Sequence, residues 1–264
     1  MLRNFDGIFR KKFYCRQKKE IMRKFLIDGA AIFFSILASF SVENYREDLE
    51  KKSILNDSVI TLGEEISNNV EYTKEHLKQI KNIEYMTEYI IDNYYSLKIE
   101  ELYNIHNNNP FLHGFDINGK IKYIKQYSDG EITSFFWGWL AWEPENIFFL
   151  SMLNSGALLK IKNTKLRREI ESIYTRQEER VNGMALATQS SGSPATKWFR
   201  DKENLYKTDI TTKDIFYKHR DQKLKNVMKN KLRVLKSRIS DIENYLQSLQ
   251  NVVKLISSEY KKLD

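Results

Sequence analysis

Apolar positions along this chain recur at helical spacing over long stretches. Leu55, Val59, Leu62, Ile66, Val70, Thr73, Leu77 and Ile80 step by three or four, and the residues between them are largely Glu, Asn and Lys. That pattern predicts an amphipathic helix with one buried stripe. It continues, with a break, through Ile83, Met86, Ile90, Leu97 and Leu102 to a stop at Asn107-Asn108-Asn109-Pro110. A second stripe, Met228, Leu232, Leu235, Ile239, Ile242, Leu246, Leu249, Val253, Ile256 and Tyr260, alternates steps of four and three without a fault. Heptads sustained in this way indicate coiled-coil or long-bundle packing. Antiparallel pairing of the two long helices into a stalk buries both stripes; a parallel dimer through the C-terminal heptads is the competing arrangement.

The middle of the chain has a different texture. Asn118-Gly119 and Asp129-Gly130 are hairpin-turn dipeptides between segments 111–117, 120–127 and 131–138, which are rich in Phe, Ile, Tyr and Lys. They predict a small three-stranded meander. Pro144-Glu145 opens a short apolar helix that ends before Gly156. A further helix starts near Asn163-Thr164, buries Leu166, Ile170, Ile173 and Val181, and fades in a loop at Ser190-Ser191-Gly192-Ser193-Pro194.

One segment is apolar on every side. Phe25 to Val42, FLIDGAAIFFSILASFSV, has Asp28 as its only ionisable residue. Eighteen helical residues rise about 27 Å, close to the hydrocarbon thickness of a bilayer. Tyr45 and Arg46 follow where interfacial anchors belong. A membrane span over 25–45 is therefore expected, in preference to a buried helix or a cleaved signal peptide, for which Ser39-Phe40-Ser41 is a poor cleavage site. Ala31, Ser35 and Ser39 repeat every four residues, a spacing that lets two helices approach closely in lipid.

Charge sharpens this picture. Nine of the 43 basic side chains and two of the 35 acidic ones fall in residues 1–24, which leaves 34 basic against 33 acidic elsewhere. The overall +8 is thus a basic leader on a balanced body, so a nucleic-acid partner is not expected. By the positive-inside rule the leader stays in the cytoplasm and the body is exported. The single cysteine, Cys15, excludes a disulfide scaffold and would lie on the reducing side.

The chain therefore reads as mainly α: a basic tail (1–24), a transmembrane helix (25–45), stalk helices (46–107) and an aromatic-rich β-meander (108–143). A helical head (144–190), a loop (191–212) and a C-terminal stalk helix (213–264) complete it.

Catalytic chemistry leaves little trace. His106, His113 and Asp116 lie close in sequence, but in an Asn- and Pro-rich stretch unsuited to holding a metal, and surface histidines are the simpler reading. Glu64 and Glu65 are expected on solvated helix faces. No phosphate loop, nucleophile elbow or HExxH is present, so no cofactor and no enzyme activity are expected. The aromatic run Phe135, Phe136, Trp137, Trp139 and Trp142 is the candidate interaction surface, with burial in a small core as the alternative.

Two stretches resemble a bacterial family of single-span membrane proteins of unknown function. LIDGAAIFFSILASFSVENYRED, with Asn44, Tyr45 and Glu47, is similar to the family's opening span. FFLSMLNSGALLKIKNTKLRREIESIYTR is similar to its central element through Ser155-Gly156, Ile161, Asn163, Leu166-Arg167 and Tyr174. Asp28-Gly29 stands where the family has glycine before the acid, and Tyr45 where tryptophan is usual. The resemblance implies a bacterial inner-membrane anchor with an extracytoplasmic helical body, and no activity. The expected role is a scaffold or assembly protein with a protein partner or a second copy of itself. A ligand sensor signalling through a separate membrane protein and an unrecognised hydrolase are the alternatives.

Overall fold

The computed structural model describes the backbone of residues 5–117, 120–206 and 210–261, with side chains from residue 31 onward. The side chains of the basic tail, Cys15, positions 25–30 of the apolar segment and the Asn118-Gly119 dipeptide lie outside the described residues. The fold is mainly α-helical with one small two-stranded sheet. The chain divides into two compact units, Met1–Asn56 and Asp57–Asp264.

Unit 1 consists of the first part of helix α1 (Phe5–Asp92). Its described apolar side chains are uncovered: Ile32, Phe33, Phe34, Ile36, Leu37, Phe40 and Val42 are each 45–67 % exposed. The serines among them turn inward on their own helix. Ser35 Oγ donates to the carbonyl of Ala31 at 2.8 Å, Ser39 to that of Ser35 at 2.9 Å, and Ser41 to that of Leu37 at 2.8 Å. Among the described residues no helix is long and apolar enough to cross a membrane.

Unit 2 is built on the remainder of α1 and on α8 (Gln222–Glu259). They run antiparallel: Gly63 lies against Ile256, Lys81 pairs with Glu243, Lys236 with Glu88, and the Tyr94 hydroxyl reaches the carbonyl of Asp221. The predicted α1 stripe is buried from Val59 to Ile80 and continues through Ile83, Met86 and Ile90. After a break, α2 (Ile99–Asn108) ends just before Pro110.

Three sequence expectations fail here for identifiable reasons. Among the described residues two strands form, β1 (His113–Phe115) and β2 (Ile121–Tyr123), antiparallel with Gly114 opposite Lys122. The third expected strand is instead helix α3 (Asp129–Trp137). Asp129-Gly130 sits inside a capping box: Glu131 accepts from the amide of Ser128 at 2.7 Å, so the dipeptide starts a helix and not a hairpin.

The expected Ser-Gly-Pro loop is helical. After α4 (Ile147–Asn154), Gly156 takes φ +71° and a 3-10 turn follows (Ala157–Lys160). Helix α5 (Thr164–Ser172), capped by the Asn163 side chain on the amide of Leu166, passes through a π-helical turn (Ile173–Gln177) into α6 (Glu178–Tyr206). Pro194 lies within α6 and cannot donate to the carbonyl of Ser190, but Ser193 Oγ does so at 3.1 Å. Gly192 brings α6 against the end of α3, where a Cβ would stand 2.5 Å from the carbonyl oxygen of Trp137.

The C-terminal region is also divided. Helix α7 (Thr212–His219) precedes α8, which begins behind the Asp221 cap. In α8 the deepest positions are Met228, Leu235, Ile242, Leu249 and Ile256, together with Leu224, Lys231, Arg238, Tyr245 and Val252. Of the expected second stripe, Met228, Leu235, Ile239, Ile242, Leu249 and Ile256 are buried, whereas Leu232, Leu246 and Val253 are only half-buried because Lys231, Tyr245 and Val252 take the interior positions beside them.

Candidate functional site

Residues 138–146 connect α3 to α4 without regular structure, so their backbone groups need partners from elsewhere. Two rows of side chains line them, and all members but His76 and Tyr245 bond to this stretch or its flanks. On α1 the row is Glu65, Asn69, Tyr72 and His76, spaced four, three and four. On α8 it is Lys231, Arg238 and Tyr245, spaced seven.

The bonds follow the connection in order. Lys231 Nζ donates to the carbonyl of Phe136 at 2.8 Å, and Arg238 Nη2 to that of Leu140 at 2.7 Å. The amide of Glu143 donates to the Tyr72 hydroxyl at 2.9 Å. Asn69 holds Glu145 from both sides, accepting from its amide at 2.9 Å and donating to its carbonyl at 2.7 Å. Glu65 then accepts from the amides of Phe148 and Phe149 at 2.6 and 3.2 Å, at the start of α4, and from the Tyr174 hydroxyl at 2.6 Å. A buried carboxylate at a helix N-terminus satisfies amides that have no partner within the helix.

Burial sets the charge states. Lys231 and Arg238 are 0 % exposed, and neither forms an ion pair among the described residues. Desolvation lowers the Lys231 ammonium to about 7 and the Arg238 guanidinium to about 10. Desolvation, with Arg238 as a secondary influence, lowers His76 to about 3. His76 is therefore neutral and accepts at Nε2 from Arg238 Nη2 at 2.9 Å. Burial, followed by the bond to Glu65, raises the Tyr174 hydroxyl well above its usual range.

His106 plays a similar part for the preceding loop. Its Nε2 accepts the amides of Phe111 and Leu112 at 3.1 and 2.8 Å, its Nδ1 meets the Tyr127 hydroxyl at 2.8 Å, and burial lowers it to about 4. The expectations of solvated Glu65 and surface histidines are thus corrected: Glu65, His76 and His106 are buried, each because it binds backbone or an interior partner. Glu64 is exposed as expected and His113 is half-buried.

The aromatic run is divided among three environments. Phe135 is buried among Tyr103, His106, Phe111 and Tyr127, and Phe136 against Phe199 and Phe216. Trp142, 6 % exposed, packs on Tyr72, His76 and Tyr245. These three residues are closed to a docking partner. Trp137 and Trp139 are half-buried, their ring centroids 6.3 Å apart and their planes tilted by 56°, with the indole nitrogen of Trp137 buried. Ala31, Ser35 and Ser39 remain on an uncovered face of α1.

Among the described residues no group of three His, Cys, Asp or Glu side chains is placed to hold a metal. Glu65, Asn69, Tyr72, Lys231 and Arg238 each bond backbone of the connection or its flanks, while the Tyr245 hydroxyl and Nε and Nη1 of Arg238 are buried without a hydrogen-bond partner. Chemically this is a clamp that fixes the α3–α4 connection and, with it, the two tryptophans. Sequence reasoning missed it because polar residues at heptad spacing look like solvated positions. No protein family, curated protein or solved structure matches the chain.

Proposed function

We propose that this chain is a single-pass, membrane-anchored protein with a cytoplasmic N-terminus, whose exported helical body acts by binding, as a scaffold or assembly partner, and not by catalysis. The uncovered apolar face of unit 1 carries the reading. Seven large apolar side chains between Ile32 and Val42 are exposed, and the serines between them use their hydroxyls within the helix. Such a surface is costly in water and suited to lipid, where every polar hydrogen needs an internal partner. The twelve positions 31–42 rise about 18 Å, so a complete span also requires positions 25–30. The basic leader and the family resemblance favour a bacterial inner membrane with the body outside the cytoplasm.

In this reading α1 and α8 form the stalk. The clamp presents Trp137 and Trp139 as the partner-facing aromatics, and Ala31, Ser35 and Ser39 provide a face for a second copy in the membrane. Partner recognition by two half-buried tryptophans on a rigid frame accords with the enrichment of tryptophan at binding hot spots. Alkaline carbonate treatment of membranes from expressing cells tests the anchor. The full chain is expected in the pellet and a Phe33→Lys/Leu37→Lys variant in the wash; a wild-type chain that washes off refutes the proposal.

A further inference from the structure

The outer side of α4 carries a ridge of uncovered apolar side chains. Ile147 is 81 % exposed, Leu150 43 % and Leu153 49 %, and Leu159 in the following 3-10 turn is 72 % exposed. The amide of Gly156 closes on the carbonyl of Leu153 at 3.1 Å, so that turn follows α4 directly. These side chains project from the surface, whereas Phe149 and Met152 of the same helix are buried.

The charge beside the ridge has one sign. From Asn146 to Arg168 there is no acidic residue, while Lys160, Lys162, Lys165, Arg167 and Arg168 crowd the turn and the start of α5. Arg167 is half-buried and the other four are exposed, and none of them forms an ion pair among the described residues. Arg167 Nη1 donates to the carbonyls of Leu159 and Ile161 at 3.3 and 3.5 Å, which ties the basic stretch to the end of the ridge.

The patch lies at one end of unit 2. The amides that open α4 sit on Glu65, Asn163 bonds Glu259, and Gly63 lies against Ile256, so the beginning and the end of this unit's chain are gathered there. The chain enters unit 2 at Asp57, at this same end. Residues 46–56 alone separate that entry from the apolar segment, about 17 Å of helix.

Projecting apolar side chains flanked by cations are what interfacial segments present to a bilayer. The apolar tips enter the boundary between headgroups and acyl chains, and the ammonium and guanidinium groups meet lipid phosphates. We infer that α4 and the basic turn after it dock unit 2 onto a lipid surface bearing anionic headgroups. The inference rests on the membrane-anchored reading for the nearness of that surface, and not for the chemistry that recognises it.

Spin labels on the full-length chain test this. Leu159→Cys and, separately, Ile147→Cys are made in a Cys15→Ser background, labelled, and reconstituted into vesicles of three parts phosphatidylglycerol to seven of phosphatidylcholine. Leu186→Cys, exposed on α6, is the control. Labels at 159 and 147 are expected to collide with dissolved oxygen in preference to a water-soluble nickel chelate, and the label at 186 with the chelate. Lys160→Glu/Lys162→Glu/Lys165→Glu should abolish the oxygen preference at 159, and vesicles of phosphatidylcholine alone should reduce it. Labels at 159 and 147 as open to the chelate as the label at 186 overturn the docking. Dipolar broadening between labels on separate chains, in place of the oxygen preference, assigns the ridge to a second copy and also overturns it. Carbonate washing of the same vesicles judges the anchor separately. A chain that stays in the pellet with chelate-accessible labels keeps the anchor and loses the docking; a chain that washes off after showing the oxygen preference keeps the docking and loses the anchor.

Discussion

Arg238 donates one guanidinium nitrogen to Nε2 of His76 at 2.9 Å, inside a core that leaves neither side chain more than 5 % exposed. A histidine accepting from a cation at that nitrogen must be neutral, with its proton on Nδ1. The same logic holds for His106, whose Nε2 accepts two backbone amides.

Acid should therefore unfold the protein through these two residues. Both folded-state values lie below the ordinary 6.5, at about 3 for His76 and about 4 for His106, so the unfolded chain takes up protons first. Their contribution is complete above about pH 6.5 and is lost as pH falls through 4 and then 3. Imidazole NMR titration should find neither ring protonated at pH 5.5; a ring titrating near 6.5 contradicts its burial.

Lys231 gives a second pH dependence in a higher window. Burial lowers it from 10.5 to about 7, so stability is greatest above about 10.5 and declines as pH falls to 7. A shift of that size corresponds to about 5 kcal/mol at most. Replacing a buried unpaired cation with an apolar side chain of similar length is commonly neutral or stabilising. Lys231→Met is expected to melt above the parent at pH 6, with the difference shrinking toward pH 10. A difference that does not change with pH is incompatible with a desolvated amine.

The α8 stripe separates two residues that hydropathy alone treats alike. Ile242 is 0 % exposed and Leu246 is half-buried. Ile242→Asp should cost several kcal/mol and remove the cooperative transition in denaturant, whereas Leu246→Asp should retain it with a smaller loss. Equal effects would return the seam to the position hydropathy indicates.

Gly192 should tolerate no side chain. A methyl group there meets the backbone oxygen of Trp137 at 2.5 Å, which a rotamer change cannot relieve. Gly192→Ala is expected to cost about 1–3 kcal/mol by chemical denaturation despite alanine's better helix propensity. An unchanged or raised midpoint contradicts the close approach of α6 to α3.

How much of this was legible follows from what hydrophobic periodicity records. The α1 stripe from Val59 to Ile80 is apolar at helical spacing and buried, and so are Met228, Leu235, Ile239, Ile242, Leu249 and Ile256 of the α8 row. Lys231, Arg238, Glu65 and Asn69 are equally interior but polar, and their reason for burial is a backbone segment distant in sequence. Local turn chemistry misled twice. Asp129-Gly130 suits a hairpin until Ser128 and Glu131 are read as a capping box, and Ser193 supplies the hydrogen bond that Pro194 removes. The burial of Phe135, Phe136 and Trp142 depends on tertiary partners that no spacing rule identifies.

The proposed anchor bears most directly on function, and protease accessibility in intact spheroplasts tests it. With a C-terminal epitope beyond Asp264, added protease is expected to remove the epitope while the membrane stays sealed, and the residual N-terminal fragment should stay with the membrane. An epitope protected until detergent is added, or a fragment released into the supernatant, would contradict an exported body held by the segment from 25 to 42.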